Sequence, residues 1–165
     1  MDKVTGKVRL LGDNIDTDVI YPGKYLPILA PQEMALHALE GVDPDFPRRI
    51  GRGDMIVAGS NFGCGSSREQ AATCLKAAGI SVIVAGSYSR IFFRNAINQG
   101  LPLVESKECG KRVREGETIT VDFANGKIVL PSGELSFHAL PPFLMQILED
   151  GGLIEHTKKK IAAGS

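Results

Sequence analysis

Between Met55 and Val104 three short apolar runs alternate with two stretches of helical period, and this alternation restricts the chain more than any other feature. Met55–Ala58, Ile80–Ala85 and Leu101–Val104 are too short for buried helices and carry almost no polar side chain. Runs of that kind suit strands covered on both faces. Ser66–Ala78 puts Ala71, Ala72, Leu75 and Ala78 on one side and ends at Gly79, as a helix with a left-handed stop does. Ser87–Gln99 repeats the pattern with Ile91, Phe92, Asn95 and Ile97, and Gly100 ends it. The spacing predicts a βαβαβ core of about 50 residues with right-handed crossovers.

The flanks read differently. Lys3–Leu11 alternates polar and apolar residues and reads as a strand, followed by a turn at Gly12-Asp13-Asn14. Ile15–Ile20 sets Asp16, Thr17 and Asp18 among apolar neighbours, and Pro22-Gly23 and Pro27 break regular structure after it. Pro31–Leu39 reads as a short helix, and Gly41–Arg52 as a loop. Further on, Glu117–Phe123 and Lys127–Leu130 form a hairpin over Ala124-Asn125-Gly126, Leu135–Phe137 adds a strand, and Pro141–Glu149 is a helix closed by Gly151-Gly152. With 165 residues, 43% of them hydrophobic, the expectation is one α/β domain over 1–165. Residues 5–104 form its motif-bearing part, and 105–165 its β-hairpin and C-terminal helix.

Charge and cysteine content narrow the function. Lys plus Arg is 19 and Asp plus Glu is 19, so no basic field exists for nucleic acid. Lys158-Lys159-Lys160 reads as a solvated tail. No apolar stretch approaches the ~20 residues needed to span a bilayer. Met1–Lys7 lacks the apolar run of a secretory signal, so the cytoplasm is the expected location. Cys64, Cys74 and Cys109 match no zinc or iron–sulfur spacing, and no metal site is expected in this chain.

The stretch that carries chemistry is Gly59-Ser60-Asn61-Phe62-Gly63-Cys64-Gly65-Ser66-Ser67-Arg68-Glu69. Its three glycines in seven residues let backbone approach a ligand closely. A helix start offers unpaired N–H groups and a positive dipole end, which hold anions. Arg68 adds a guanidinium able to grip a carboxylate through two parallel hydrogen bonds. A plain N-cap by Ser66 or Ser67, with Glu69 in the first turn, accounts for the serines but not for the glycines or for a cation at that end. The loop lacks the Gly-Lys-Ser/Thr ending of a phosphate-binding Walker loop and only part of G-x-G-x-x-G is present. His37, His138 and His156 lie outside the motif, which leaves a Ser-His-Asp triad weakly founded.

On these residues the chain resembles the swivelling domain of aconitase-type hydro-lyases, and its length resembles that family's free-standing 3-isopropylmalate dehydratase small subunits. Gly12-Asp13-Asn14-Ile15-Asp16-Thr17-Asp18-Val19-Ile20 and Ser87–Leu103 are similar to two further segments of the family, in the same order. The resemblance implies a β/β/α swivelling-domain fold with a βαβαβ core and additional antiparallel strands. It implies that Ser66 is the base, that Arg68 clamps a substrate carboxylate, and that Ser67 and Asp18 bind or shape the substrate site. No cofactor is then expected in this chain. A [4Fe-4S] cluster is expected in a large partner subunit, in a heterodimer or heterotetramer acting on a small hydroxy acid. For Asp18, a turn-forming or buried structural carboxylate is an equal alternative.

Substrate choice in the resembling family falls to a loop that is here Gly23-Lys24-Tyr25-Leu26-Pro27-Ile28-Leu29. Relatives that use tricarboxylates resemble this chain with an arginine at the position of Pro27. Proline cannot pair with an extra carboxylate, and an unpaired desolvated carboxylate is costly. An alkyl substituent gains ~0.8 kcal/mol per buried CH₂ instead. The expected substrate is therefore an alkylmalate of the 3-isopropylmalate type, in leucine biosynthesis. Alternatives are another hydroxy acid (dimethylmalate, methylmalate or homoaconitate) or a non-catalytic carboxylate-binding module, and Lys24 has the reach to touch substrate.

Overall fold

The structure is a computed structural model that describes residues 2–164. Its centre is strand β1 (Lys3–Leu10), which serves two partners at once. Val8–Leu10 run parallel to Met55–Val57 of β2 (Met55–Ala58), while Lys3–Lys7 run antiparallel to Asp122–Thr118 of β5 (Thr118–Asp122). On the parallel side β2 pairs with β3 (Val82–Ala85), and β3 with β4 (Leu103–Glu105). On the antiparallel side β5 pairs with β6 (Lys127–Leu130) and β6 with β7 (Gly133–Ser136). The seven strands lie in the order β4-β3-β2-β1-β5-β6-β7. The sheet curls, so its edge strands β4 and β7 both line one groove of about 510 Å³, through Leu103, Glu105, Leu135 and Ser136.

The expected βαβαβ core is present. Alternation along β2 sends Met55 and Val57 to one face and Ile56 and Ala58 to the other. Ile56, Ala58, Ile83 and Ala85 pack under α4 (Glu69–Ala77) and α5 (Arg90–Asn98), against Ala71, Ala72, Leu75, Phe92 and Ala96. Met55, Val57, Val82 and Val84 pack on the other side against Ile119, Val121, Ile128 and Leu130 of the antiparallel strands. Covering both faces explains why β2 and β3 read as unbroken apolar runs.

Several boundaries differ from the sequence expectation. The helix expected from Ser66 begins at Glu69, because residues 59–68 are drawn away to pair with residues 12–18. Pro31–Leu39 divides into α2 (Pro31–Met34) and a 3₁₀ turn over Ala35–His37, after which Leu39 takes φ +61° and ends the run. The loop expected over 41–52 contains a single helical turn, α3 (Phe46–Arg49), and a similar turn, α1 (Thr17–Ile20), follows Asp16. Another turn, α6 (Cys109–Arg112), precedes β5. After α7 (Pro142–Glu149), the expected solvated tail is a helix, α8 (Leu153–Gly164), with the three lysines exposed on it. Among the described residues no helix is long and apolar enough to cross a membrane.

Candidate active site

Beyond the ends of β1 and β2, two sequence-distant loops run side by side and are stitched together residue by residue. Gly59 N–H donates to the Gly12 carbonyl at 3.0 Å, and Ser60 N–H to the Asp13 carboxylate at 2.8 Å. Gly63 N–H donates to the Ile15 carbonyl at 2.7 Å, and Thr17 N–H to the Cys64 carbonyl at 2.9 Å. The register closes with Thr17 on the Ser66 carbonyl and Asp18 on Arg68. Thus the two motif segments, 12–20 and 59–69, form one surface. Such pairing satisfies backbone groups that a free loop would leave to water.

Two glycines make this path possible. Gly63 has φ +79°, and a Cβ there would lie 2.2 Å from Cγ of Phe92. Gly65, at φ +93°, turns the chain toward Ser66. Only glycine takes such a backbone without strain. Phe62, fully buried, anchors the loop edge-on against the Phe92 ring with centroids 5.2 Å apart. Ser89 caps α5 and donates its hydroxyl to the Gly63 carbonyl at 2.8 Å, tying the loop to that helix too.

Ser66 and Ser67 are exposed and precede α4, so neither caps it; the N-cap position belongs to Arg68, without a side-chain capping bond. The dipole of α4 therefore acts on Ser66 from beyond its first turn, where its influence has largely decayed. Charge near the loop comes instead from Arg68, whose side chain is 17% exposed. Its Nη1 donates to Asp18 Oδ1 at 2.7 Å and to the Tyr21 carbonyl at 3.1 Å. Asp18 Oδ1 also accepts Gly23 N–H at 2.9 Å. The guanidinium first, and the Gly23 N–H second, hold the Asp18 carboxyl below the usual carboxylate range. Among the described residues no hydrogen bond occupies Nη2 of Arg68, which faces Gly23; a Cβ at Gly23 would lie 3.2 Å from it. One edge of the guanidinium thus remains available to a carboxylate.

The loop 23–29 starts at this ion pair and is braced from behind. Gly23–Tyr25 form a 3₁₀ turn. The Tyr25 ring stacks on His37 at 3.6 Å between centroids, and its hydroxyl donates to Glu40, which also holds His37 Nδ1 at 2.6 Å. The Tyr25 carbonyl accepts the Tyr21 hydroxyl at 2.7 Å. Lys24 lies with its Nζ 5.2 Å from the Tyr25 ring centroid. Ile28 packs against the helix-side core, whereas Leu26, Pro27 and Leu29 are exposed. The bracing by His37 and Glu40 has no local sequence signal, since it depends on where the chain returns. Thr17 and the Tyr21 carbonyl were likewise not singled out from sequence, although Thr17 lies inside the motif.

Among the described residues no group of three or more His, Cys, Asp or Glu side chains is arranged to hold a metal. Cys74 and Cys109 lie in cores on opposite faces of the sheet, where burial pushes both thiols up, Cys109 to about 11. These cysteines do not fit a cluster's ligand set. His138 is exposed and His156 pairs with Asp150 at 2.7 Å. Neither histidine is paired with Ser66.

Comparison with known proteins places the chain in a family by sequence and fold. Residues 40–108 match the aconitase C-terminal domain. The chain is 53% identical over 160 residues to the 3-isopropylmalate dehydratase small subunit of Syntrophus aciditrophicus, covering 96% of this chain and 98% of that one. It is 50% identical over 161 residues to the isopropylmalate/citramalate isomerase small subunit of Methanocaldococcus jannaschii, covering 96% of each. The crystal structure of a 3-isopropylmalate dehydratase from the same archaeon superposes with a TM-score of 0.93 at 38% identity, over 98% of this chain and 97% of that one. The chain belongs to the 3-isopropylmalate dehydratase small-subunit family, hydro-lyase subunits with the aconitase C-terminal domain.

Proposed function

We propose that this chain is the substrate-gripping subunit of a hydro-lyase that isomerises an alkyl-substituted malate by dehydration and rehydration, of the 3-isopropylmalate to 2-isopropylmalate type used in leucine biosynthesis. The observation that carries the reading is the stitched pair of loops, which offers the exposed Ser66 and the half-occupied Arg68 on one surface. Arg68 holds a substrate carboxylate by its free edge. The Ser66 alkoxide takes the proton from the carbon beside a carboxylate, and the C–H electrons form the C=C bond. The hydroxyl on the neighbouring carbon leaves with its C–O electron pair, taking a proton from an acid supplied by the partner chain to depart as water. Water returns to the alkene with the two carbons exchanged. An ordinary alcohol is a poor base, so the Ser66 alkoxide needs a cation nearby and a site closed to bulk water.

The exposure of Ser66 and Ser67 leaves closure to a second chain, as the words small subunit in the relatives' names imply. We place the family's [4Fe-4S] cluster in that large subunit, because this chain's cysteines do not fit it; when bound it supplies a Lewis acid for the departing hydroxyl. The exposed Leu26 and Pro27 suit an alkyl group better than a third carboxylate. The isopropylmalate/citramalate name of one relative keeps a methyl substituent open as a second reading. The test is anaerobic reconstitution with the cognate large subunit and a panel of substituted malates. Turnover is expected only with both chains, fastest on an alkylmalate, and lost in Ser66→Ala with assembly intact. Turnover by this chain alone, or normal turnover by Ser66→Ala, overturns the reading.

A further inference from the structure

We propose that Thr17 is the positioning residue for Ser66, an inference that rests on the reading of Ser66 as the base. Thr17 is 3% exposed and opens the single turn α1. At the first position of α1 no preceding carbonyl of the helix is available to its hydroxyl, so Oγ1 is free to bond elsewhere. Here Oγ1 leaves the turn and donates to the Ser66 carbonyl, 49 residues on, at 2.7 Å. The same residue's N–H donates to the Cys64 carbonyl at 2.9 Å. Thr17 therefore grips the chain on both sides of Gly65, the φ +93° residue at which the loop turns.

The grip is itself held fast. Asp16 caps α1 by accepting Val19 N–H at 2.8 Å, and Tyr21 N–H returns to the Thr17 carbonyl at 2.8 Å. Arg68 has a separate anchor, in Asp18 and the Tyr21 carbonyl. Adjacent residues of one turn thus hold the two functional groups independently: Thr17 the base and Asp18 the clamp. Ser66 Oγ itself has no hydrogen-bond partner among the described residues, so its position follows from its backbone and from the substrate. A proton transfer is sensitive to small displacements, so a shift at Ser66 should fall on turnover more than on carboxylate binding at Arg68, which keeps its own anchors.

The experiment compares Thr17→Val and Thr17→Ser with wild type and Ser66→Ala in the complex with the large subunit. Thr17→Val keeps the shape and removes the donor; its kcat is expected to fall roughly ten- to a hundredfold with KM changed less than about twofold. Thr17→Ser, which retains the donor, is expected to return kcat to within about threefold of wild type. If Thr17→Val does not fold, Thr17→Ala takes its place, since it also removes the donor and adds no bulk. Near-normal kcat in the donor-free variant overturns the proposal, as does equal impairment of Thr17→Ser. An active Ser66→Ala overturns the reading of the base itself; an inactive Ser66→Ala beside an unimpaired Thr17→Val overturns only the positioning role.

Discussion

Asp18 Oδ1 accepts Nη1 of Arg68 at 2.7 Å and the Gly23 N–H at 2.9 Å, so one carboxylate oxygen joins the clamp to the loop proposed to choose the substrate. The carboxylate is 65% exposed and the arginine 17%, so the value of this pair lies in orientation more than in stability. Asp18→Asn retains an acceptor and loses the charge. It is expected to raise KM severalfold and leave the melting temperature within about 2 °C of wild type. Arg68→Lys loses the two-toothed contact and should cost more, about 2–3 kcal/mol in kcat/KM. Steady-state kinetics of the reconstituted complex check both.

Gly63 tests the loop's path. Its φ of +79° and the 2.2 Å approach of a hypothetical Cβ to the Phe92 ring leave no room for a side chain. Gly63→Ala must distort the loop or displace Phe92, at a cost of about 2–4 kcal/mol. Urea unfolding of the isolated chain measures this. Turnover should fall further than stability alone accounts for, because the same loop carries Ser66.

Acid should loosen the C-terminal helices. Asp150 accepts His156, Lys159 and Gln146, and these partners, His156 foremost, pull its pKa down to about 2. A group whose folded pKa lies below its unfolded value stabilises the fold fully above the unfolded value, near 4 for aspartate, and loses that contribution as pH falls toward the folded one. The stability gap between wild type and Asp150→Asn should therefore be constant above about pH 5, shrink from there, and nearly close as pH approaches 2. Chemical denaturation across that range checks it. A gap that widens with acid would contradict the sign.

How much of this was legible in the sequence depends on whether the cause was local. Strands β2 and β3 and helix α5 announce themselves, because burial on both sheet faces and a stripe ending at Gly100 are written in neighbouring residues. The start of α4 was misread because Ser66, Ser67 and Glu69 have the form of a capping signal, while pairing with residues 12–18 decides otherwise. Helix α8 was missed for a different reason: none of its residues is buried, and Ile154 and Ile161 are exposed, so no core-facing stripe marks it. The candidate site residues were nameable from their resemblance, yet the partnership of Asp18 with Arg68, and of Thr17 with Ser66, is a contact across about 50 residues that no local pattern contains.

Pro27 offers the sharpest test of substrate choice. It is exposed, follows the 3₁₀ turn whose last ring is held by His37 and Glu40, and lies beside the exposed Leu26. Because the brace acts through Tyr25, an arginine at 27 should leave the turn in place, with a loss of about 0.4–1 kcal/mol from the freer unfolded chain. Its guanidinium could then meet an added substrate carboxylate, an interaction of about 1.5–3 kcal/mol. Pro27→Arg should accordingly shift the ratio of kcat/KM for a tricarboxylate over an alkylmalate by roughly ten- to a hundredfold. Most of the change should appear as a lower KM for the tricarboxylate, with the alkyl substrate losing little. Competition between the two substrates in one vessel reads the ratio directly, and an unchanged ratio would move the determinant of specificity off this loop.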